Sequence, residues 1–168
     1  YVLDSGSGQS KLSPLLKTDV NMQSAGGMFA SISDLGRWVN MNINSGRLDG
    51  KQVIPAAIID SVRAGYTKTT REGPPFPGDG EYGLGWQIGK YRTERVVYHP
   101  GGFPGYFCHV SYLPEKRIGV AVVANQDPAG PPVANLIALY MYDRLTGVEG
   151  ADAEFDKNLD DFVAQYAN

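Results

Sequence analysis

The scarcity of cysteine and histidine and the lack of excess basic charge exclude several classes of protein. Only one cysteine, Cys108, occurs among 168 residues, so an intramolecular disulfide framework and a multi-cysteine metal site are both impossible. The two histidines, His99 and His109, have no acidic cluster near them, so we expect no metal site. Lys and Arg number 15 against 18 Asp and Glu, and a mixed charge pattern with net −3 argues against a nucleic-acid-binding surface.

Long apolar runs and several catalytic motifs are absent as well. No apolar run approaches the roughly 18 residues of a membrane span, and no secretory signal is visible. The sequence contains neither a Gly-x-Ser-x-Gly nucleophile elbow nor a Gly-x-x-x-x-Gly-Lys phosphate loop. The glycines of "GLGWQIG" (residues 83–89) are misplaced for a dinucleotide-binding fingerprint, and no helix follows them. We therefore expect no cofactor.

The residues that are present predict one packed domain with helices at both ends. Hydrophobic residues make up 42% and charged residues 20% of the chain, which is typical of a folded protein. A capping-box-like pair, Ser31 and Asp34, predicts the start of a first helix, and Pro55 predicts the start of a second. A third helix is predicted over residues 131–147 and a last, amphipathic one over residues 152–167. The residues predicted to point inward from the third helix are Val133, Leu136, Ile137, Tyr140 and Leu145.

Four segments between these helices have the composition of strands: residues 82–91, 94–99, 106–114 and 117–125. The order of helices and strands predicts an α+β fold, an antiparallel sheet flanked by helices. Because residues 117–125 are almost entirely apolar, we expect a central strand that is buried on both faces. Residues 66–80, rich in Pro and Gly, predict a long surface loop of the kind that often serves as a lid.

The stretch "YHPGGFPGY" (residues 98–106) combines a histidine with bare backbone. Gly101 and Gly102 have no side chain to keep a ligand away, and an exposed N–H there could donate to a developing oxyanion. His99 could donate a hydrogen bond or a proton, or attract a carboxylate. From the residue types alone, a glycine-rich connection between strands, without function, is the favoured interpretation. His109, in the middle of a predicted strand, is expected to be a structural or surface residue.

Four segments in order resemble the C-terminal half of the serine β-lactamase-like hydrolases, which include class C β-lactamases, D,D-peptidases and related esterases. These segments are "AGGMFASISDLGRWVNMNINSG", "YGLGWQ", "HPGGFPGY" and "LPEKRIGVAVVANQ". The resemblance covers residues 20–146 and implies a partial transpeptidase-like fold without its N-terminal portion. It implies that residues 1–147 form the C-terminal portion of that domain and residues 148–168 a linker and helix. It also implies a periplasmic or secreted protein.

The resemblance assigns roles to one strand. His99, Pro100 and Gly101 correspond to the Lys-Thr-Gly-like triad that lines the family's active-site cleft. His99 and the backbone N–H of Gly102 are implied as catalytic groups, the latter as half of an oxyanion hole, and Pro100, Gly101 and Phe103 as substrate-binding residues. Proline in place of threonine removes a hydroxyl that would bind a substrate carboxylate, which weakens the case for penicillins. Esters, D-amino peptides and β-lactams all stay open as substrates.

The nucleophile that the resemblance requires is not in the sequence. No serine is followed three residues later by lysine, and no Tyr-x-Asn or Ser-x-Asn lies ahead of the "AGG" helix. We therefore expect the chain to be part of a longer serine hydrolase and to be inactive alone. Exposed sheet edge and apolar surface should then promote association with the missing N-terminal part, or self-association. The alternative is a non-catalytic binding or interaction module that retains this half-fold.

Overall fold

The computed structural model describes residues 1–4, 6–18, 20 and 26–166. Two short ribbons pair β1 (Val2–Leu3) with β2 (Ser10–Lys11) and β3 (Arg47–Leu48) with β4 (Lys51–Gln52). The main sheet contains β5 (Thr67–Arg71), β6 (Gly78–Tyr82), β7 (Gln87–Tyr91), β8 (Glu94–Phe103), β9 (Tyr106–Leu113) and β10 (Ile118–Ala124). The helices are α1 (Ile32–Ile43), α2 (Ala56–Val62), α3 (Gly130–Thr146) and α4 (Ala151–Tyr166). The predicted α+β fold with helices flanking an antiparallel sheet is confirmed.

The six strands of the main sheet pair in chain order, so each strand is hydrogen-bonded to the next. The predicted hairpin of the last two strands is confirmed, with Ile118 opposite Leu113. The prediction that residues 117–125 form a central strand is wrong, because β10 lies at one end of the sheet. Its apolar sequence has another cause: α1 and α3 both pack on β10, one on each face of the sheet.

The long loop predicted over residues 66–80 is also wrong, because most of it belongs to strands. The threonine-rich β5 pairs with β6 from Thr67 opposite Tyr82 to Arg71 opposite Gly78, as suits β-branched residues. Phe76, in the remaining connection, is 3% exposed and packs edge-on against Tyr98 at a centroid distance of 4.9 Å. The single strand predicted over residues 82–91 is two strands, separated by a turn.

The two faces of the sheet bury separate cores, and the alternation of side chains along β8 sorts its residues between them. Val96 and Tyr98 pack in the core beneath α3, whereas Val97 packs in the core beneath α1. The register of β8 with β9 runs without interruption to Phe103. His99 and Gly101 therefore lie on the α1 face.

Two helices show how local sequence sets their ends and faces. Ser31 caps α1 by accepting from the N–H of Asp34 at 3.2 Å, and the Asp34 carboxylate accepts from the N–H of Ser31. The hydrogen bonds from Ser31 lower the pKa of Asp34. The predicted inward face of α3 is wrong: its buried residues include Ala134, Ala138 and Tyr142, because small side chains let the helix approach the sheet closely. Within the described residues, no helix is long and apolar enough to cross a membrane.

Candidate active site

The residues singled out from the sequence lie within a strand rather than in a connection. β8 continues past His99 as far as Phe103 and pairs with β9 over its whole second half, Gly101 opposite Cys108 and Gly102 opposite Phe107. On the other side, pairing with β7 stops where Tyr98 meets Gln87. Among the described residues, β8 therefore has one unpaired edge from His99 onward. Alternate residues of an antiparallel strand direct their backbone groups to opposite edges, so this edge carries backbone groups that no described strand pairs with, although Pro100 has no N–H to donate.

The imidazole of His99 is held through both of its nitrogens. Nδ1 lies 2.7 Å from the carbonyl oxygen of Pro100, which can only accept, so Nδ1 carries a hydrogen. Nε2 lies 3.2 Å from the hydroxyl oxygen of Tyr82. The two rings meet edge to face with centroids 6.1 Å apart. The half-buried His99 therefore has a defined orientation beside the open edge of β8.

The two glycines that follow His99 are needed for different reasons. A Cβ atom on Gly101 would lie 2.6 Å from Sγ of Cys108, so the cysteine fills the space that a side chain would take. A Cβ atom on Gly102 would meet nothing closer than Phe107, at 3.9 Å, and Gly102 is exposed. Burial raises the pKa of the Cys108 thiol, which favours a packing role for the sulfur over a reactive one. The lack of a side chain at Gly101 thus leaves room for Cys108 of β9, whereas the lack of one at Gly102 leaves the surface of β8 exposed.

Phe103 belongs to an aromatic cluster at the far end of the same strand. The ammonium of Lys17 lies 5.2 Å from the centroid of the Phe103 ring and 5.0 Å from that of Phe29. Phe29 packs edge-on against Tyr106, with centroids 6.2 Å apart. No sequence pattern connects Lys17 or Phe29 with the site, because both lie more than 70 residues before Phe103 and outside any periodic segment.

Tyr82 also belongs to the site, although sequence reasoning did not assign it a role. It is the first residue of the "YGLGWQ" segment that contributes to the family resemblance. In the turn after Tyr82, a Cβ atom on Gly83 would lie 2.5 Å from the carbonyl oxygen of Val62. The N–H of Leu84 donates to that same oxygen at 2.9 Å. Trp86 closes the turn by accepting from Gly83 and packs against Tyr112 at a centroid distance of 5.4 Å. The "YGLGW" sequence therefore fixes the end of β6, and with it Tyr82, against the end of α2.

His109 lies on the opposite face of the sheet and belongs to the α3 core. It is 2% exposed, so of the two predicted roles the structural one is correct. Its Nδ1 donates to Oδ1 of Asn135 at 3.0 Å, and its Nε2 lies 2.7 Å from Oγ of Ser111. The hydroxyl of Tyr142 donates to the same Oγ at 2.7 Å. Burial lowers the pKa of His109, and the hydrogen bond with Asn135 opposes that shift.

Metal ligation finds no support in the described part of the chain. Within it, no group of three or more His, Cys, Asp and Glu side chains lies close enough together to hold a metal ion. The groups that the site brings together are the backbone of the open β8 edge, one imidazole and one phenol.

A helix-flanked antiparallel sheet is the fold that the resemblance to the serine β-lactamase-like hydrolases implied. The chain belongs to the beta-lactamase family, and the family model described as Beta-lactamase matches residues 3–141. The resemblance deduced from the four sequence segments is thereby confirmed. The division into residues 1–147 and 148–168 stays a prediction.

Individual relatives fit this assignment. The chain is 24% identical over 151 residues to the unguisins hydrolase ungD of Aspergillus violaceofuscus, covering 84% of this chain and 27% of the relative. It is 27% identical over 108 residues to the D-alanyl-D-alanine-carboxypeptidase/endopeptidase AmpH of Escherichia coli K12, covering 62% of this chain and 28% of the relative. The octameric penicillin-binding protein homologue from Pyrococcus abyssi superposes with a TM-score of 0.57 and 29% identity, covering 70% and 24% of the two chains. The chain thus spans about a quarter of these relatives' length.

Proposed function

We propose that this chain supplies one wall of the active site of a serine hydrolase that works through an acyl-enzyme. The observation that carries the proposal is the open edge of β8, where the partner strand β7 ends opposite Tyr98 and bare backbone follows. A substrate could lie along this edge as an additional extended chain and hydrogen-bond to the free backbone groups. Membership of the beta-lactamase family supports the reaction class.

In this proposal each residue of the wall has a role in the reaction. The serine Oγ bonds to the acyl carbon, the leaving group departs with a proton, and water later releases the acid and restores the serine. The backbone N–H of Gly102 donates to the oxyanion that forms on the carbonyl oxygen. His99 stands beside it as a hydrogen-bonding group. Phe103 contacts the substrate beyond the oxyanion site, next to Lys17.

The substrate class that we propose is a small-molecule ester, amide or β-lactam carbonyl. Pro100 contributes no hydroxyl at the position where a carboxylate would otherwise be bound. This favours substrates that need no such contact. The two curated relatives are named as a carboxypeptidase/endopeptidase and as an unguisins hydrolase, which supports acyl transfer without choosing among the substrates.

The nucleophile is proposed to lie outside these 168 residues, since no Ser-x-x-Lys occurs in them. A fluorophosphonate probe should label the longer protein read from the coding sequence in a one-to-one ratio and leave the 168-residue chain unlabelled. Stoichiometric labelling of the short chain would contradict the proposal. A longer protein that has no Ser-x-x-Lys and takes no label would instead favour a non-catalytic binding module.

We also propose that the β10 edge is covered by another strand, from the rest of the same protein or from a second copy. β10 is wholly apolar, Val123 is 48% exposed, and no described strand pairs with its outer edge. The 168-residue chain should therefore self-associate in sedimentation velocity, and Val123→Lys should shift it toward monomer. A well-behaved wild-type monomer would refute this.

A further inference from the structure

We propose that Tyr82, together with the Pro100 carbonyl, holds the tautomer of His99 and is the outer hydrogen-bonding group that this pair presents to the substrate. The inference rests on the proposed role of His99 in the active site and adds a residue that the family comparison does not assign. Its basis is the contact between the Tyr82 hydroxyl and Nε2 of His99 at 3.2 Å. Pairing of β7 with β8 ends at Tyr98, one residue before His99, so the contact lies beside the open edge of β8.

The direction of this hydrogen bond follows from the other side of the ring. Because Nδ1 of His99 donates to the Pro100 carbonyl, a neutral imidazole has only a lone pair at Nε2. The Tyr82 hydroxyl must then be the donor to Nε2. A neutral His99 held in this way has no N–H left for a substrate. The atom of the pair that can still bind a substrate donor is the phenolic oxygen of Tyr82.

The roles reverse when the ring takes up a proton. Both nitrogens then donate, and Nε2–H points to the oxygen of Tyr82. The hydroxyl hydrogen of Tyr82 is released from His99 and can be donated outward. A proton can therefore enter the pair at Tyr82 while the original hydroxyl proton passes to Nε2, so that one proton enters and none is lost.

The position of Tyr82 is well enough fixed for such a role. Its backbone pairs with Thr67 on one side and Gln87 on the other. The turn that follows is held by the hydrogen bond from Leu84 to Val62. The side chain is nevertheless 37% exposed, so it combines a rigid backbone with access to solvent.

Nitrogen-15 NMR of the imidazole rings in the longer, full-length protein tests the tautomer directly. The His99 signals are those that disappear in His99→Gln. In spectra of the neutral ring, we expect Nδ1 protonated and Nε2 unprotonated. Tyr82→Phe should let the Nε2-protonated tautomer grow. A wild-type His99 protonated at Nε2, or a tautomer that Tyr82→Phe leaves unchanged, would overturn the inference.

Ester hydrolysis by the same full-length protein separates this inference from the proposed function. Tyr82→Phe should lower kcat/KM about tenfold, the effect of one lost hydrogen bond in the transition state, and add little to His99→Gln. Tyr66→Phe is the matched control, since its hydroxyl donates to the Ser61 carbonyl at 3.1 Å, away from His99, and it should leave kcat/KM unchanged. Unchanged hydrolysis in Tyr82→Phe, or a full additive loss in the double variant, would refute the role of Tyr82. Unchanged hydrolysis in His99→Gln would refute the proposed function of His99 instead.

Discussion

His99 and His109 lie on adjacent strands, and the comparison between them shows what turns a histidine into a candidate functional group. Both rings carry their hydrogen on Nδ1, donated to the Pro100 carbonyl in one case and to Asn135 in the other. Both have Nε2 against a hydroxyl oxygen, of Tyr82 or of Ser111. The difference is the face of the sheet. His109 lies under α3, whereas His99 lies where β7 has ended and the strand edge is open.

Removing the ring of His109 should have the largest effect on stability. His109→Ala removes the partner of the Asn135 amide oxygen and one of the two partners of the Ser111 hydroxyl, which keeps Tyr142, and it opens a cavity in the α3 core. We expect a loss of about 2–4 kcal/mol in the free energy of unfolding, measured by urea denaturation. The matched variant His99→Ala should cost less than about 1 kcal/mol, because its site is half-buried. Equal losses of stability in the two variants would contradict the assignment of a structural role to His109 and not to His99.

Removing the ring of His99 should have the converse effect, on activity. In the full-length protein we expect His99→Gln to lower kcat/KM for an ester about 100-fold, as for a group engaged in proton transfer. The fold should be retained, as judged by an unchanged urea midpoint. The kinetic control is Lys116→Gln, a surface change in the turn before β10, where Lys116 pairs with Glu94 at the opposite end of β8 from Gly102. A loss in the control as large as in His99→Gln would point to a general defect.

Substitutions at Gly101 and Gly102 should separate the effect of side-chain packing on stability from the effect of substrate access on activity. Gly101→Ala places a methyl group against Sγ of Cys108 and should destabilise the fold by about 1–2 kcal/mol. Cys108→Ala in the same chain should recover most of that loss. Gly102→Ala, whose methyl group would meet nothing closer than Phe107 at 3.9 Å, should change stability by only about 0.5 kcal/mol while still hindering substrate approach. A double variant no more stable than Gly101→Ala would show that the sulfur is not the obstacle.

The smallest expected effect is the contribution of His109 to the pH dependence of the free energy of unfolding. Its pKa is lowered in the folded protein from the usual 6.5, so the unfolded chain binds more protons below that value. The stabilisation is fully present above pH 6.5 and is lost as pH falls through the lowered pKa. An NMR titration should find the His109 ring still neutral below pH 6.5. A ring that is charged at or above pH 6.5 would contradict the buried network.

The structural features that are determined by residues close together in the sequence could be predicted from it. The Ser31–Asp34 capping box is confirmed, and so is the end of α3 at Gly147, which has the left-handed conformation at φ 76°. The stretch around Gly101 was recognised from residue types that leave backbone bare. In each case the signal lies within a few residues, where capping, turn chemistry and side-chain size act directly.

The errors arose where distant parts of the chain meet. An apolar strand was expected to be central, but β10 has helices packed on both faces and, among the described residues, no second strand neighbour. The inward face of α3 was assigned to its large residues, although Leu145 is 52% exposed and alanines make the close contact. The Tyr82–His99 hydrogen bond joins residues 17 positions apart, and only the register of three strands brings them together. No local pattern carries that information.

The outer edge of β10 has a consequence for how the protein is made. Backbone N–H and C=O groups recognise any extended chain, whatever its side chains, and the seven residues of β10 include no charge or proline to prevent pairing. At the opposite edge, the lysine and arginine of β5 supply that protection. During synthesis, a correct covering strand and an incorrect one therefore compete for the same backbone, and speed of arrival decides between them. Supplying the correct strand early should raise the yield of soluble protein.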